Sequence, residues 1–527
     1  MKCVKPIGIS VAWLLPEEHR SVPRIFNALD LRVYRLRSHP QINRVRPGDS
    51  TIIAWDWNRA DPRGTERNPE CVVSSIRELL PYTENIPLIV SGPRALAESL
   101  CREFHRTVHW LSIGGYGATD PQAVWASWLA GVPSISIELV SCRGEEHWDR
   151  FGAREIRVHP SSPGLTQTAL LRASLSLVER LALRAGPETV CGAQPVFEAP
   201  PLSQPSLLVR SWQSFRVSLQ IVSKTLKNRL SRSGQLTDQW AIGIGSIQKS
   251  SRRDLLPELP QFREFHWIEP GSHRFIADPF LARVGETTIL FFEELLYSDW
   301  KGRLKALPLD VSGQPVGPEV TILEKPYHLS FPFVFEHPSE PDALFLLPEQ
   351  AESGNTVLYR SPRAMGPSLL RFEQDTVLLP GFPGIDPVVF ERDRDFYLFV
   401  TNGTYGNYDN NLQLFISESL RGPYRIHPKS PIKLGLRGSR MAGPPALHRG
   451  TLYRPAQDCK SRYGAQVILH RVDLLSPTDY HETEVAVFSP DPASPYGLGS
   501  HTVAWYEGFV ATDGLCQIPV SRPEIER

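Results

Sequence analysis

The chain has 527 residues, which is too many for one ordinary hydrophobic core and predicts at least two domains. Its 57 basic and 57 acidic residues cancel, so the net charge gives no reason to expect a nucleic-acid partner. With 41% hydrophobic and 22% charged residues, the composition is that of a globular protein. The 48 prolines and 37 glycines favour a turn-rich β architecture.

The 7 cysteines are scattered, and no pair has the spacing of a metal site or a redox motif. Residues 7–15 are apolar, but the segment is short and runs directly into charged residues, so we interpret it as a buried strand rather than a leader or membrane span. These features favour a cytoplasmic protein with reduced thiols, and they predict neither a metal site nor a cofactor.

Residues 1–185 alternate between strand-like apolar runs and amphipathic helical stretches. This alternation predicts an α/β domain with a mostly parallel sheet. The predicted strands are residues 7–15, 49–55, 86–91 and 132–139, and the predicted helices are 93–104, 121–129 and 164–184.

Residues 186–235 form a predicted connector that is first Pro-rich and then basic. In residues 206–233, arginines and lysines punctuate apolar residues at helical spacing. One interpretation is a helix that packs its apolar side on a neighbouring domain and leaves its charges in water. The other is an amphipathic helix on an anionic membrane surface, which would place the protein at the inner face of a membrane.

Residues 236–518 contain one short phrase five times, and the repeats lie about 53 to 57 residues apart, which is a typical period for propellers. A polar turn and a second apolar run follow each phrase, as in the strand–turn–strand unit of a blade. We therefore predict a five-bladed β-propeller whose ring is closed by a strand at residues 239–245, with a tail at 519–527. The phrases are anchored at Pro279, Pro332, Pro387, Pro444 and His501.

Several of these stretches together resemble the propeller domain at the N-terminal side of plant glucosamine inositolphosphorylceramide transferases, which also occurs in bacterial proteins of polysaccharide gene clusters. That family is similar in turn to five-bladed glycoside hydrolases and fructosyltransferases. The resemblance therefore implies a sugar-handling site on the propeller axis. The matching stretches include Ala277-Asp278-Pro279-Phe280-Leu281, Phe291-Phe292-Glu293-Glu294, Arg440-Met441-Ala442-Gly443 and Arg454-Pro455-Ala456-Gln457-Asp458-Cys459.

Residues 1–185 resemble the formyltransferase-type domain that accompanies this propeller in bacterial proteins. Active domains of that type carry an Asn-x-His element followed by a Ser-Leu-Leu-Pro-like stretch. The corresponding stretch here is Val108-His109-Trp110-Leu111-Ser112, which has the His and a Ser but lacks the Asn. The resemblance implies a degenerate formyltransferase-like domain.

Asp278 and Asp386 are the candidate catalytic acids, because each precedes a proline at the start of an innermost strand. Carboxylates that face each other across a pocket perturb each other's pKa and divide the roles of base and stabiliser. Carboxyl pairs also flank the bond that is broken in glycoside hydrolysis. The alternative is that each Asp starts a turn by capping backbone amides.

Arg440 and Arg454 are candidate phosphate clamps. The fourth blade opens with Arg440 and has no acid at its start, whereas the hydrolase relatives would place a general acid there. A guanidinium binds phosphate oxygens bidentately, as a nucleotide-sugar or phospho-sugar donor would require. The alternative for both arginines is an ion pair with a nearby carboxylate such as Asp458.

Other polar residues occupy strand starts and ends at the same predicted face, and His328 and His501 could donate to a sugar hydroxyl or act as a base. Aromatic residues such as Trp300 and Tyr408 could stack on sugar rings, and the alternative is that aromatics at strand ends belong to the core. Residues 401–411 form a polar loop, which we interpret as a lid or specificity loop. The predicted substrate-binding residues are Glu294, His328, Glu349, Asn402, Arg440, Arg454, Gln457, Asp458, His501 and Asp513.

The favoured hypothesis is a glycosyltransferase or related sugar-transfer enzyme of surface polysaccharide or glycolipid biosynthesis. Its partners would be an activated sugar donor (a nucleotide-sugar or phospho-sugar) and a glycan or glycolipid acceptor. The first alternative is a non-catalytic glycan-binding propeller. The second alternative is sugar N-formylation by the N-terminal domain, with the propeller holding the acceptor.

Overall fold

The computed structural model divides the chain into two compact units, Met1–Ser211 and Trp212–Arg527. The predicted connector, residues 186–235, and the end of the chain from residue 520 lie outside the described residues, so the predicted domain boundaries stay predictions. The structure describes residues 11–14, 34–36, 54–55, 71–73, 88–90, 97–98, 101–102, 107–113, 116–117, 134–142, 148–158, 170, 173–174, 177, 236–246, 261–362, 370–404 and 408–519.

The first unit is built on a sheet of 7 strands in the order β3-β1-β5-β6-β8-β9, with β7 paired to β6. A separate sheet pairs β2 with β4. The strands are β1 Val11–Leu14, β2 Tyr34–Leu36, β3 Ala54–Trp55, β4 Cys71–Val73, β5 Leu88–Val90, β6 Val108–Ile113, β7 Tyr116–Gly117, β8 Ser134–Cys142 and β9 Trp148–Arg157.

Among the described strands, parallel pairing is confined to β1 with β5, β5 with β6, and β2 with β4. The pairs β6 with β8 and β8 with β9 are antiparallel, so the expectation of a mostly parallel sheet is wrong for this part of the chain. Only residues 143–147 separate β8 from β9, and a parallel return needs a crossover of roughly a dozen residues. The buried residues Ala97, Leu170, Ala173 and Leu177 are helical.

The second unit consists of five antiparallel sheets, and its described residues contain no α-helix, although 3-10 turns occur at Phe262–Glu264 and Ala351–Ser353. Two strands precede the first repeat: β10 Leu236–Ser246 and β11 His266–Ile268. Blade 1 is β12 Arg274–Val284, β13 Thr287–Leu296, β14 Gly302–Leu309 and β15 Val320–Leu323. Blade 2 is β16 Ser330–Phe335, β17 Ala343–Glu349, β18 Thr356–Pro362 and β19 Glu373–Leu379.

Blades 3 and 4 each carry one extra short strand. Blade 3 is β20 Gly384–Arg392, β21 Asp395–Asn402, β22 Asn411–Ser417, β23 Arg425–Ile426 and β24 Lys433–Leu434. Blade 4 is β25 Arg437–Met441, β26 Ala446–His448, β27 Thr451–Asp458, β28 Gln466–Leu475 and β29 Tyr480–Phe488. Blade 5 joins β30 Val503–Tyr506 and β31 Phe509–Pro519 to β10 and β11.

Both ends of the second unit meet in blade 5. Strand β10 pairs with β31 from Leu236 opposite Pro519 to Ser246 opposite Phe509. This pairing confirms the predicted closing strand, and it removes two sheet edges that would otherwise be open to other chains. The inner strands of successive blades also contact one another, and β12 of blade 1 contacts β10, β30 and β31 of blade 5.

The blades pack through apolar strands that are buried on both faces. In the largest core, Phe280 of blade 1 meets Phe331 of blade 2 edge to face, with ring centroids 4.9 Å apart. A second core joins blades 4 and 5 through residues such as Val467 and Val503. Because neither face of such a sheet is exposed to solvent, the sequence of each strand is a continuous run of apolar residues rather than an alternation of apolar and polar ones.

A strained bulge recurs near the start of the inner strand. Asp278, Phe331 and Asp386 have φ angles of 53°, 47° and 46°, and each precedes a proline. The strand register shifts at each of these positions. A bulge changes the direction in which its side chain points. The Asp-Pro and Phe-Pro dipeptides therefore mark positions whose side chains do not follow the regular alternation of the strand.

Within the stretches that the structure describes, no helix is long and apolar enough to cross a membrane.

Blade 4 has glycine at the corresponding position, and the structure gives the reason. Gly443 has a φ of 132°, and a Cβ atom there would lie 2.0 Å from the carbonyl oxygen of Val503 in blade 5. The amide of Val503 donates to the carbonyl of Ala442 at 2.7 Å, so the two blades touch backbone to backbone. This close approach leaves no room for a side chain.

We expect Gly443→Ala to lower the free energy of unfolding by about 2–3 kcal/mol more than Gly450→Ala does. Gly450 is the matched control, because it also has a positive φ, of 78°, but a Cβ there would meet nothing within 4 Å. Chemical denaturation of the two variants measures the difference. An equal decrease in the free energy of unfolding for both variants would show that blades 4 and 5 can move apart at little cost to accommodate a Cβ atom.

Candidate functional site

A cavity of about 290 Å³ opens where strand starts and strand ends of blades 2, 3 and 4 converge. Arg440 and Ile385 belong to inner strands, and Glu349 is the last residue of a second strand. This is the face at which the sequence predicted a binding site. The lining residues are His328, Glu349, Ala351, Glu352, Pro383, Ile385, Gly403, Tyr408 and Arg440.

Arg440 lies at the centre of an ion network in this cavity. Its Nε and Nη2 donate to the two carboxylate oxygens of Asp386, the second at 3.2 Å. Nη2 also lies 3.3 Å from Glu349 Oε2, and Nη1 lies 3.3 Å from Asp409 Oδ1. The guanidinium is therefore engaged by three carboxyl groups of the protein, which matches the ion-pair interpretation of Arg440 rather than that of a free phosphate clamp.

Glu349 and Asp386 form a coupled carboxyl pair. Burial and the neighbouring Asp386 raise the pKa of Glu349 well above its usual range, although Arg440 opposes the shift. Burial also raises the pKa of Asp386, but Arg440 and a hydrogen bond from Gln457 Nε2 at 2.8 Å favour its ionised form. Since neighbouring carboxylates disfavour each other's ionisation, the protonated form is favoured at Glu349, and the ionised form at Asp386 is favoured by its bonds to Arg440 and Gln457.

Asp278 of blade 1 is held by groups from two other blades. Its Oδ1 accepts from Thr502 Oγ1 at 2.8 Å and lies 3.1 Å from His501 Nε2, both in the segment that opens blade 5. Its Oδ2 accepts from the amide of Phe331 in blade 2 at 3.0 Å. Burial acts to raise the pKa of Asp278, but His501 and Thr502 lower it below its usual value. The predicted catalytic Asp278 is thus an ionised, fully engaged anion that does not line the cavity.

His501 lies between two carboxylates. Its Nε2 faces Asp278, and its Nδ1 lies 3.0 Å from Asp513 Oδ2. Asp513 Oδ1 also accepts from the amides of His501 and Thr502, at 2.7 and 3.1 Å. Although burial lowers the pKa of a histidine, Asp513 and Asp278 raise that of His501 to about 10, so this residue is an imidazolium at neutral pH.

The same three side chains are the one group among the described residues whose ligand atoms are close enough to hold a metal ion, within 4.8 Å of one another. A metal ligand must be a neutral imidazole, whereas the two flanking carboxylates hold His501 protonated. The carboxylate oxygens already accept N–H and O–H donors of the protein. The donor set therefore fits an Asp–His–Asp ion triad better than a metal site.

His328 and Glu293 form a second acid–base pair beside the cavity. The amide of Gly302 donates to His328 Nδ1 at 3.0 Å, which leaves the ring proton on Nε2, 3.3 Å from Glu293 Oε1. Burial lowers the pKa of His328, and burial together with Asp278 raises the pKa of Glu293 well above its usual range. His328, whose pKa lies below 6.5, therefore presents an uncharged imidazole to the cavity at pH 7, and the protonated form is favoured at its neighbour Glu293.

Glu294, which the sequence assigned to the site, belongs to a different network. Its carboxylate contacts Arg274, and it lies 3.3 Å from Lys305 Nζ. Successive residues of a strand point to opposite faces, so only one of Glu293 and Glu294 can reach the axis. The structure selects Glu293, and no signal in the sequence separates two adjacent glutamates at the end of a strand.

Arg454 and Asp458 lie within blade 4 and do not line the cavity. Arg454 is fully buried, and it donates to Glu482 at 2.7 Å and to the carbonyl of Gly438 at 2.8 Å. Asp458 accepts from Gln466 Nε2 at 3.0 Å. The alternative interpretation of Arg454 as one half of an ion pair is correct, although its partner is Glu482 rather than Asp458.

The loop after β21 lines one side of the cavity. Two of its described residues were not among the substrate-binding residues predicted from the sequence. Asn402, which was predicted to bind substrate, instead shapes the loop by accepting from the amide of Thr404 at 2.9 Å. Tyr408 lines the cavity with 49% of its surface exposed, and Asp409 reaches Arg440. Residues 405–407 lie outside the described residues.

The geometry defines a class of structure, a five-bladed propeller with a cavity that glutamates line at one face. Residues 269–494 match the family described as glucosamine inositolphosphorylceramide transferase 1, N-terminal. Over 218 residues the chain is 33% identical to glucosamine inositolphosphorylceramide transferase 1 of Arabidopsis thaliana. It is 31% identical over the same length to the protein of that name from Oryza sativa subsp. japonica. The resemblance inferred from the motifs is thereby confirmed for the propeller segment.

The matched segment is 40% of this chain but only 27% and 28% of those two relatives, so the chain spans about a quarter of their length. Among solved structures, a GH43_1 enzyme from Xanthomonas citri is similar with a TM-score of 0.33 and 11% identity, over 48% of this chain and 90% of that one. A thermostable family-43 glycoside hydrolase is similar with a TM-score of 0.29 and 12% identity, over 41% and 76%. At TM-scores of this size, the description of the fold depends on the strand pairing itself.

The His501 triad predicts a pH dependence of stability. The pKa of His501 is about 10 in the folded chain and 6.5 for a free histidine, so its contribution is complete below pH 6.5 and is lost as the pH rises through 10. We expect the free energy of unfolding to fall more steeply over this window in the wild type than in His501→Gln. Denaturant titrations at a series of pH values measure the two slopes.

His481→Gln is the control, because His481 also contacts a carboxylate, Asp473 at 3.1 Å, but is 59% exposed. It should keep the steep slope of the wild type. If His501→Gln also keeps that slope, His501 is not protonated in the folded chain.

Proposed function

We propose that the propeller is the sugar-handling part of a transferase of glycolipid or surface polysaccharide assembly, and that Glu349 is its acid–base group. The observation that supports this most directly is the place of Glu349 in the lining of the cavity, where burial and the neighbouring Asp386 raise its pKa well above the usual range. Carboxyl groups with strongly raised pKa values in a cleft are typical of active sites. The segment that contains them is also the one that matches relatives named as transferases.

Glu349 can complete a proton cycle by itself. It donates its proton to the oxygen of the leaving group as the bond to the anomeric carbon breaks. The resulting carboxylate then accepts the proton of the acceptor hydroxyl as the new glycosidic bond forms, so protons balance over the transfer. Asp386, which is only 1% exposed at its side chain, acts through Glu349 by keeping the pKa of that group high.

The proposed substrates are an activated sugar and a glycolipid acceptor. The printed name of the relatives combines glucosamine with inositolphosphorylceramide, and we extend to this chain only the general pair of a sugar and a glycolipid. A glycolipid acceptor is presented at a membrane surface. We therefore keep the proposal that the basic segment 206–233, which lies outside the described residues, brings a cytoplasmic protein to the inner face of a membrane.

A non-catalytic glycan-binding propeller is the second candidate. It is favoured by the contacts of the two aspartates that were predicted to be catalytic. Both carboxylate oxygens of Asp278 accept hydrogen bonds from the protein, and Asp386 pairs with Arg440. It is also compatible with a match to only the N-terminal part of much longer relatives. Formyl transfer by the first unit has less support, because the element around His109 lacks the Asn, and His109 Nδ1 lies 2.9 Å from Ser141 Oγ.

Substitution of Glu349 separates these candidates. We expect Glu349→Gln to reduce sugar transfer from a panel of nucleotide-sugars to a glycolipid acceptor by roughly a hundredfold or more, because an amide cannot donate and recover a proton in this way. Sugar binding, followed as a rise in melting temperature with added sugar, should persist. Glu352→Gln is the control, since Glu352 lines the same cavity but is exposed.

Asp386→Asn tests the supporting role of that residue. Without the neighbouring anion the pKa of Glu349 falls, so the alkaline limb of the pH–rate profile should move to lower pH. Full activity in Glu349→Gln rejects the proposed acid. Sugar binding by a wild-type chain that transfers nothing from any donor supports the glycan-binding propeller instead.

A further inference from the structure

Trp300 combines an exposed indole with a strained backbone, and both features disfavour the folded state. Its side chain is 62% exposed, and its φ angle is 53°. A bulky residue in the left-handed region is strained, and strain of this kind concentrates at functional sites. Glycine or asparagine would relieve the backbone and remove a large apolar surface from water, so stability does not explain a tryptophan at this position.

The turn that carries Trp300 is fixed on both sides. Asp299 Oδ1 accepts from the amide of Lys301 at 3.2 Å, and Asp299 Oδ2 accepts from Arg303 Nη2 at 2.8 Å. The amide of Trp300 donates to the carbonyl of Leu296 at 2.9 Å. The ring of Tyr297 lies 5.6 Å from that of Trp300, centroid to centroid. The exposed indole is therefore presented by an ordered turn with an aromatic neighbour.

The turn is next to the cavity. It joins β13, which carries Glu293, to β14, whose first residue is Gly302. The amide of Gly302 donates to Nδ1 of His328, and His328 lines the cavity. One residue, Lys301, separates Trp300 from Gly302, which is at most about 7 Å of chain, so the turn that carries the indole lies near the same face.

We propose that Trp300 is a second sugar-binding platform, on which a further ring of the glycan stacks outside the cavity. The neighbours of the indole support a sugar rather than a protein or a lipid tail. Ser298, Asp299 and Lys301 are polar and flank one exposed aromatic ring, since the neighbouring Tyr297 is partly buried, whereas docking of proteins or lipids calls for a contiguous apolar patch. A sugar ring offers a C–H face to the indole and hydroxyl groups to the polar residues around it. This inference rests on the proposed sugar-handling role of the cavity.

The experiment compares the affinity of the full-length chain for oligosaccharides on a glycan array with its affinity for the corresponding monosaccharides. Trp300→Asn removes the ring and suits the left-handed backbone, so we expect oligosaccharide binding to weaken by about tenfold while monosaccharide binding is unchanged. The melting temperature should stay the same or rise, because strain is relieved. Trp300→Phe keeps an aromatic face and should retain most of the affinity.

Val311→Asn is the matched control, because Val311 is 98% exposed in the turn at the other end of β14. It should bind every glycan as the wild type does. If Trp300→Asn lowers the melting temperature and leaves oligosaccharide affinity unchanged, the indole is structural and the inference is overturned. If the wild type binds no glycan at all, the proposed function itself fails, and the platform fails with it. Glycan binding by the wild type that Trp300→Asn leaves intact rejects the platform alone.

Discussion

The second unit depends on one buried cation, the imidazolium of His501. The residue precedes β30 of blade 5, and its two ring nitrogens lie beside Asp278 of blade 1 and Asp513 of blade 5. Asp278 in turn accepts the amide of Phe331 in blade 2. One charged triad therefore ties the closing blade to the first two. The loss of a single partner would leave a buried charge uncompensated, which is far more costly than the loss of an exposed ion pair.

The chemistry of the cavity follows from an excess of acids over bases. Arg440 is the guanidinium that the structure places among Glu349, Asp386 and Asp409, and it bonds Asp386 bidentately. Burial next to each other disfavours ionisation of both Glu349 and Asp386, and the bidentate bond to Arg440 favours the ionised form at Asp386. Glu349 and Asp409 each contact the guanidinium through one oxygen at 3.3 Å, and of the two it is Glu349 whose pKa burial and the neighbouring Asp386 raise well above its usual range. The protein thus places an acid where a substrate can reach it.

Sequence reasoning succeeded where the signal was periodic and failed where it depended on the facing of a side chain. The recurrent X-Pro phrases and the closing strand are confirmed, because period and apolar content determine blades. The choice of Glu294 over Glu293 failed by one residue, since strand parity cannot be read from two adjacent glutamates. Arg454 appeared equivalent to Arg440 but bonds Glu482 inside its own blade. Asp409 was assigned only to a loop, and Tyr408 only to that loop and to possible stacking on sugar rings, because the approach of both residues to the cavity depends on the tertiary structure.

The repeated bulge explains why the cavity is asymmetric. Blades 1 to 4 place Asp278, Phe331, Asp386 and Gly443 at corresponding positions before a proline. Of these four residues, only Asp386 contacts Arg440 and Glu349 at the cavity. Asp278 belongs to the triad with His501, and Phe331 packs in the core. Gly443 allows the close approach of the blade 5 backbone. The second carboxyl of the pair must then come from a different element, the end of β17 in blade 2. The bulge recurs in each of these blades, but the carboxyl pair combines one residue of the bulge, Asp386, with Glu349 at the end of a different strand.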